Sequence, residues 1–201
     1  MDVRTRCVYE PSEDTYLLVE TARALSRVLT CRVHSIVEVG SGSGIASREL
    51  SGIFKTARIV AVDLSPYAVA ASAKTLSGLP QCLVVHCNAG QCIHRAELAV
   101  FNPPYLPPGE FDELLASECG GWLLRAIRDP EAMRLMCLEA TRFSALAVVA
   151  VYSSLSPVNL EACLEERGFR VVLRRIAPFF FEKLIGVAAI KRGALEGCVS
   201  E

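Results

Sequence analysis

Apolar, β-branched runs alternate along this chain with helix-like patterns, and a glycine-rich turn follows the first of those runs. The segments 35–39 (SIVEV), 58–62 (RIVAV), 82–86 (CLVVH), 97–101 (ELAVF), 145–152 (ALAVVAVY), 169–175 and 184–190 read as strands. Segments 44–53, 66–77, 129–143 and 157–167 read as helices. Ahead of them, 12–29 reads as an amphipathic helix, with Leu17, Leu18, Ala22, Leu25 and Leu29 at helical spacing. Ser12 stands at its N-cap, and Glu13 and Asp14 bring negative charge to its first turn. Buried runs separated by helices specify βαβ units and a parallel sheet covered on both faces. The last two runs are joined only by Pro178 to Lys183, too short for a crossover, so that pair is antiparallel. The expectation is an α/β fold with a seven-stranded, mostly parallel sheet and one reversed strand near an edge. At 201 residues the chain has the size of one domain of about 100–200 residues.

Composition excludes several classes. With 52% apolar and 21% charged residues, the chain is not disordered. Its net charge of −1 leaves no general basic stripe, so stable nucleic-acid binding is not expected. Residues 1–10 carry no apolar leader, and the longest apolar run, 145–152, is too short to span a bilayer. A soluble cytoplasmic protein is expected. The nine cysteines include no CxxC pair, and the odd number argues against a secreted disulfide framework. If a strand runs over 82–87, Cys82 and Cys87 point to opposite faces, so they cannot share a metal from there. No metal site is expected, and the cysteines read as small buried hydrophobes. Arg outnumbers Lys 17 to 4, with only 3 Asn and 2 Gln. That skew suits heat adaptation, which would make an intracellular disulfide less improbable, but a biased base composition produces the same skew.

Glu38-Val39-Gly40-Ser41-Gly42-Ser43-Gly44 follows the first strand and opens a helix. Glycines there admit a ligand close to the backbone, and the helix start offers unpaired N–H groups. A dinucleotide fingerprint would require glycine where Ile45 stands, which disfavours pyrophosphate. The spacing resembles motif I of class I methyltransferases that use S-adenosylmethionine (SAM). Asp63 ends the second strand, where an acidic side chain can accept from both ribose hydroxyls. It is also placed to cap the next helix.

Asn102-Pro103-Pro104-Tyr105 follows the fourth strand. The prolines stiffen a turn at the carboxyl edge of the sheet, where open α/β sheets bind ligands. A planar carboxamide or base amine is a poor nucleophile because its lone pair is delocalised. The Asn102 side-chain carbonyl and the Pro103 backbone carbonyl can each accept one of its N–H groups, while Tyr105 stacks on its plane. Methyl transfer from a sulfonium then needs positioning more than acid–base chemistry. Segment 106–129 has neither strand nor helix period and reads as an active-site loop or lid.

Together these residues resemble the HemK-type glutamine methyltransferases that modify translation release factors, in the short eukaryotic and archaeal branch. The resemblance rests on Val8-Tyr9-Glu10-Pro11-Ser12-Glu13-Asp14-Thr15, on the glycine loop with Asp63 and NPPY, and on Phe180-Phe181-Glu182-Lys183-Leu184. It runs over residues 8–192 and implies a Rossmann-like class I methyltransferase, with segment 1–30 covering the cofactor site. It implies SAM contacts at Tyr9, Pro11, Thr15, Glu38, Gly40, Gly42, Asp63, Leu64, Asn88, Ala89 and Asn102, with S-adenosylhomocysteine as product. It places the substrate glutamine at Asn102, Pro103, Pro104 and Tyr105. The family usually has Asp at position 88 on the adenine amine; the Asn88 carbonyl still accepts that bond. The substrate implied is the Gly-Gly-Gln loop of a class I release factor. The resemblance also implies a small zinc-binding activator subunit in a heterodimer. Strand 82–86 is expected at a sheet edge without protective charges, open to a partner strand or to this chain's own N-terminal segment. An N6-adenine or lysine N-methyltransferase, and a non-catalytic SAM-binding scaffold, are the alternatives. The chain has no recognition domain or basic arm for nucleic acid, a lysine amine is not planar, and a scaffold needs neither motif.

Overall fold

The computed structural model describes residues 7–105, 119, 132–194 and 198. Helix α1 (Glu13–Val28) precedes strand β1 (Ser35–Val39), helix α2 (Ile45–Ile53), β2 (Arg58–Asp63), α3 (Pro66–Thr75), β3 (Cys82–His86) and β4 (Ala96–Phe101). Then come α4 (Ala132–Phe143), β5 (Ser144–Ser153), α5 (Leu160–Glu166), β6 (Phe169–Phe179) and β7 (Glu182–Lys191). The loop expected at 106–129 lies outside the described residues except for Cys119. No helix among the described residues is long and apolar enough to cross a membrane.

The strands form one sheet in the order β3-β2-β1-β4-β5-β7-β6. β1 to β5 pair in parallel, and β7 runs antiparallel to both β5 and β6. This is the expected seven-stranded sheet with one reversed strand next to an edge. The hairpin is tighter than the sequence implied: Phe179 pairs with Glu182, so only Phe180 and Phe181 turn the chain.

Strand alternation feeds two apolar layers. Ile36, Ile59, Leu98, Val149 and Ile190 pack with Leu18, Leu25 and Leu50 of α1 and α2. Val37, Val62, Ala99, Val148 and Val187 pack with Met136, Phe143, Leu160 and Leu164 of α4 and α5. Burial on both faces explains why these strands read as continuous apolar runs. β3 and β6 are left at the edges, and Leu83 on β3 is 61% exposed.

Two local expectations are corrected. Ser12 occupies the N-cap of α1, but its hydroxyl caps no backbone N–H. It bonds the Glu13 carboxylate, a charged acceptor one residue away. The cysteines are not nine free hydrophobes. Cys7–Cys119, Cys31–Cys198, Cys87–Cys92 and Cys137–Cys163 are disulfides, and Cys82 remains free. Two bridges join residues 112 and 167 positions apart in the chain, and a pairing that depends on tertiary approach leaves no spacing signal.

α1 lies close against the sheet because Gly186 of β7 has no side chain. A Cβ there would overlap the Thr21 hydroxyl and stand 3.2 Å from Leu17 Cγ. Thr21 cannot swing away without breaking its own 2.7 Å bond to the Leu17 carbonyl. Gly186→Val is therefore expected to push α1 off the sheet and destabilise the protein by about 1–3 kcal/mol, as overpacking does. Denaturant unfolding measures this; a midpoint equal to wild type would contradict the packing argument.

Candidate functional site

The site lies at the carboxyl ends of the parallel strands. After β1 the chain turns through Gly40, Gly42 and Gly44, all with positive φ. The amides of Gly40 and Ser41 donate to the Val62 carbonyl at 2.8 and 3.0 Å, which bends the loop towards β2. Gly44 shows the constraint most clearly. Its φ is +79°, and a Cβ would lie 2.9 Å from Ser72 Cα. The Ser72 hydroxyl donates to the Gly42 carbonyl at 3.0 Å and lies 3.0 Å from Ser41 Oγ, so α3 clamps the loop.

Asp63 ties the same loop from the end of β2. Its carboxylate accepts from the Gly42 amide and the Ser65 amide, both at 2.8 Å. It does not cap α3: Ser65 does, accepting from the Ala68 amide at 3.1 Å. Each Asp63 oxygen retains acceptor capacity beyond these bonds. Burial pushes the Asp63 carboxyl above its usual range, opposed by the Ser65, Gly42 and Leu64 backbone amides and by His86. The Leu64 carbonyl is 2.8 Å from His86 Nε2. The Cys87 amide donates to the Asp63 carbonyl at 2.9 Å, which sets Asn88 and Ala89 beside Asp63. The Asn88 side chain is exposed there, and Ala89 has φ +46°.

Glu38 is buried beneath the loop and accepts a bond from the Ser47 hydroxyl of α2. Desolvation is the main cause that pushes its carboxyl up to about 8, with the Ser47 bonds opposing.

The second half of the site centres on a residue to which sequence reasoning gave no site role, only a helix-end charge and a place in the 8–15 motif. Asp14 in the first turn of α1 is 4% exposed. Its Oδ2 accepts from Asn102 Nδ2 at 2.8 Å, the Tyr105 hydroxyl at 3.1 Å and the Tyr9 hydroxyl at 3.1 Å. Its Oδ1 accepts from the Thr15 amide at 2.7 Å. Asp14 lies on the same stripe as the buried Leu18, Thr21 and Leu25, and an acid within an apolar stripe was the available signal. Burial, followed by the Asp14 charge, raises both tyrosine hydroxyls above their ordinary range, so Tyr9 and Tyr105 remain protonated donors.

Asn102 follows Phe101, which is in register with Val39, so NPPY stands beside the glycine loop. The Asn102 amide orientation follows from chemistry, because only its NH2 end can donate to a carboxylate. Its other end, Oδ1, is buried and has no hydrogen-bond partner among the described residues. Such atoms are rare because an unmet buried acceptor is unfavourable. Pro103 is buried and Pro104 exposed, while Pro11 and Thr15 are half-buried. The structure thus joins Tyr9, Asn102 and Tyr105 in one cluster around Asp14, and Gly42, Asp63, Leu64 and the 88–89 pair in another.

The strand order, the reversed β7 and the glycine turn beneath an acidic β2 end define a Rossmann-like methyltransferase fold. Magnesium protoporphyrin IX methyltransferase (ChlM) from Synechocystis PCC 6803, solved with bound SAM, matches 94% of this chain and 89% of its own with a TM-score of 0.62 and 13% identity. In sequence, part of the chain is similar to curated methyltransferases. It is 34% identical to human methyltransferase HEMK2 over 116 residues, 51% of this chain and 52% of that protein. It is 30% identical over 108 residues to the release factor glutamine methyltransferase of Moorella thermoacetica, 51% of this chain and 38% of that one. The chain spans about half the length of the curated relatives it matches or less. No family model matches.

Glu38 gives a pH prediction. Its folded carboxyl holds a proton that the unfolded carboxyl, near 4.5, has released. Its contribution to stability is therefore complete below pH 4.5 and is lost as pH rises towards 8. Unfolding midpoints measured between pH 5 and 8 should fall more steeply in wild type than in Glu38→Gln, which stays neutral and can still accept from Ser47. Parallel slopes would contradict the assignment.

Proposed function

We propose that this chain is a SAM-dependent protein N5-glutamine methyltransferase, acting on the Gly-Gly-Gln loop of a class I translation release factor in the cytoplasm. The observation that carries this reading is the unpartnered, buried Oδ1 of Asn102. It is an acceptor held ready for an N–H that none of the described residues supplies. A primary carboxamide has two such hydrogens on a planar nitrogen.

The site residues fit SAM. Asp63 has acceptor capacity for paired ribose hydroxyls, the glycine turn brings backbone near the ligand, and the carboxylates of Asp14 and Asp63 favour a cation. When bound, SAM supplies an electrophilic methyl on a positively charged sulfur. Tyr9, Pro11, Thr15, Glu38, Gly40, Gly42, Asp63, Leu64, Asn88 and Ala89 would form its surroundings, with Asn102 between cofactor and acceptor. Glu38 acts through the loop, since its carboxyl is committed to Ser47.

In the reaction, Asn102 Oδ1 accepts one hydrogen of the glutamine amide and the Pro103 carbonyl accepts the other. Both bonds favour lone-pair density on nitrogen. Asp14 prevents the Asn102 amide from turning its NH2 end towards the substrate. Pro104 stiffens the turn, and the Tyr105 ring covers the acceptor plane and excludes water. Nitrogen would gain the methyl as the methyl–sulfur bond breaks with its electron pair left on sulfur, and one of the two N–H protons held by Asn102 and the Pro103 carbonyl would pass to solvent once the product leaves. The outer edge of β3, apolar and open at Leu83, is where a small zinc-binding activator subunit would add a strand.

Labelled SAM, with intact release factor, the same factor lacking the loop glutamine, and duplex DNA, tests this with and without the activator. The proposal expects label on the intact factor alone. Asn102→Ala should reduce transfer at least a hundredfold, a loss comparable to removing one oxyanion donor elsewhere, with SAM affinity by calorimetry within threefold. Label on DNA, or equal label on both factors, would contradict the substrate assignment.

A further inference from the structure

The β6–β7 hairpin ends in two phenylalanines that the fold does not use. Phe180 is 89% exposed and Phe181 is 100% exposed. Phe180 also has φ +45°, a left-handed position that two-residue turns normally give to Asn or Gly. Backbone preference and solvent therefore both oppose phenylalanine here. The tip is nevertheless well held: Phe180 packs edge-on against Phe179 with centroids 4.6 Å apart.

Its location carries the argument. β7 begins where β5 ends, so the tip projects from the carboxyl edge of the sheet, the edge that holds the glycine loop and NPPY. The Ser153 hydroxyl bonds the Glu182 carboxylate. The Ser154 amide donates to the Lys183 carbonyl at 2.8 Å, and the Lys183 amide donates to Ser154 Oγ at 2.9 Å. Glu182 is near enough for its charge to act on the Tyr105 phenol. Leu155, 60% exposed, is pinned to the same corner by its amide, which donates to Ser153 Oγ at 3.0 Å. Lys183, paired with Pro178 next to the turn, is exposed beside the tip. Three large apolar side chains with the Lys183 cation beside them thus form one rim of the acceptor site. A small ligand that reaches Asn102 needs no such rim, but a folded protein that inserts a loop must lie across it.

We propose that Phe180, Phe181 and Leu155 form the docking surface for the body of the protein whose loop enters the acceptor site, meeting an apolar patch bordered by carboxylates. This rests on the function proposed above, since it assumes a macromolecular acceptor. Exposed aromatics of this kind become binding anchors once a partner desolvates them.

The test is the double variant Phe180→Asn, Phe181→Ser, assayed with intact release factor and, where needed, the activator. Asn is at home at φ +45°, so the thermal midpoint should hold or rise. KM for the release factor should increase at least tenfold, with kcat within twofold and SAM affinity unchanged. Wild-type activity with an unaltered KM in the variant would overturn the docking surface while leaving the function standing. A wild-type dimer in light scattering that the variant dissociates would assign the tip to a second copy of this chain and overturn it too. A wild-type enzyme that leaves the release factor unlabelled would reject the function, and this occupant with it.

Discussion

One carboxylate oxygen holds the two ends of this site together. Asp14 Oδ2 takes hydrogen bonds from Asn102, Tyr105 and Tyr9, which join the N-terminal helix to a turn about ninety residues further on. A buried carboxylate needs hydrogen-bond donors, because leaving its oxygens unmet away from water is unfavourable. In meeting that need it uses the donor end of Asn102 and leaves the acceptor end empty. Burial cost and chemical function are thus two aspects of one geometry. Removing the carboxylate would leave an amide free to rotate, in a pocket where only one orientation presents an acceptor.

The fold serves this contact. α1 reaches the NPPY turn because Gly186 lets it settle on β7, and because the apolar layer beneath it is continuous from Leu18 to Leu25. The glycine loop is held separately, by Asp63, Ser72 and the Val62 carbonyl. The two halves meet through β1 and β4, whose adjacent ends place Gly40 beside Asn102. A cofactor between them would therefore touch parts fixed by different elements. That is how a parallel sheet turns strand register into site geometry.

Much of this could be read from the chain itself. Strands buried on both faces are written as β-branched runs, and a short link between the last two ensures their reversal. NPPY and the glycine turn stood out because proline and glycine restrict the backbone locally. Asp14 was visible as a first-turn acid and a motif residue but not as the hub of the site, since Asn102 and Tyr105 are remote in sequence. The long-range disulfides were illegible for the same reason, because Cys31 meets Cys198 only after the sheet has assembled. Ser65 took the capping role that had been open to Asp63, because its hydroxyl stands three residues before the amide it bonds. Exposure of Phe180 and Phe181 also depended on knowing how tight the hairpin is.

The chain contains only three asparagines, and Asn88 and Asn159 are exposed while Asn102 is not. Selective 15N-asparagine labelling therefore offers a direct look at the central bond. The account predicts that one of the three side-chain NH2 pairs is shifted by a carboxylate partner and protected from solvent exchange, and that Asp14→Ala abolishes both effects. Three equally fast-exchanging pairs in the wild-type protein would contradict it.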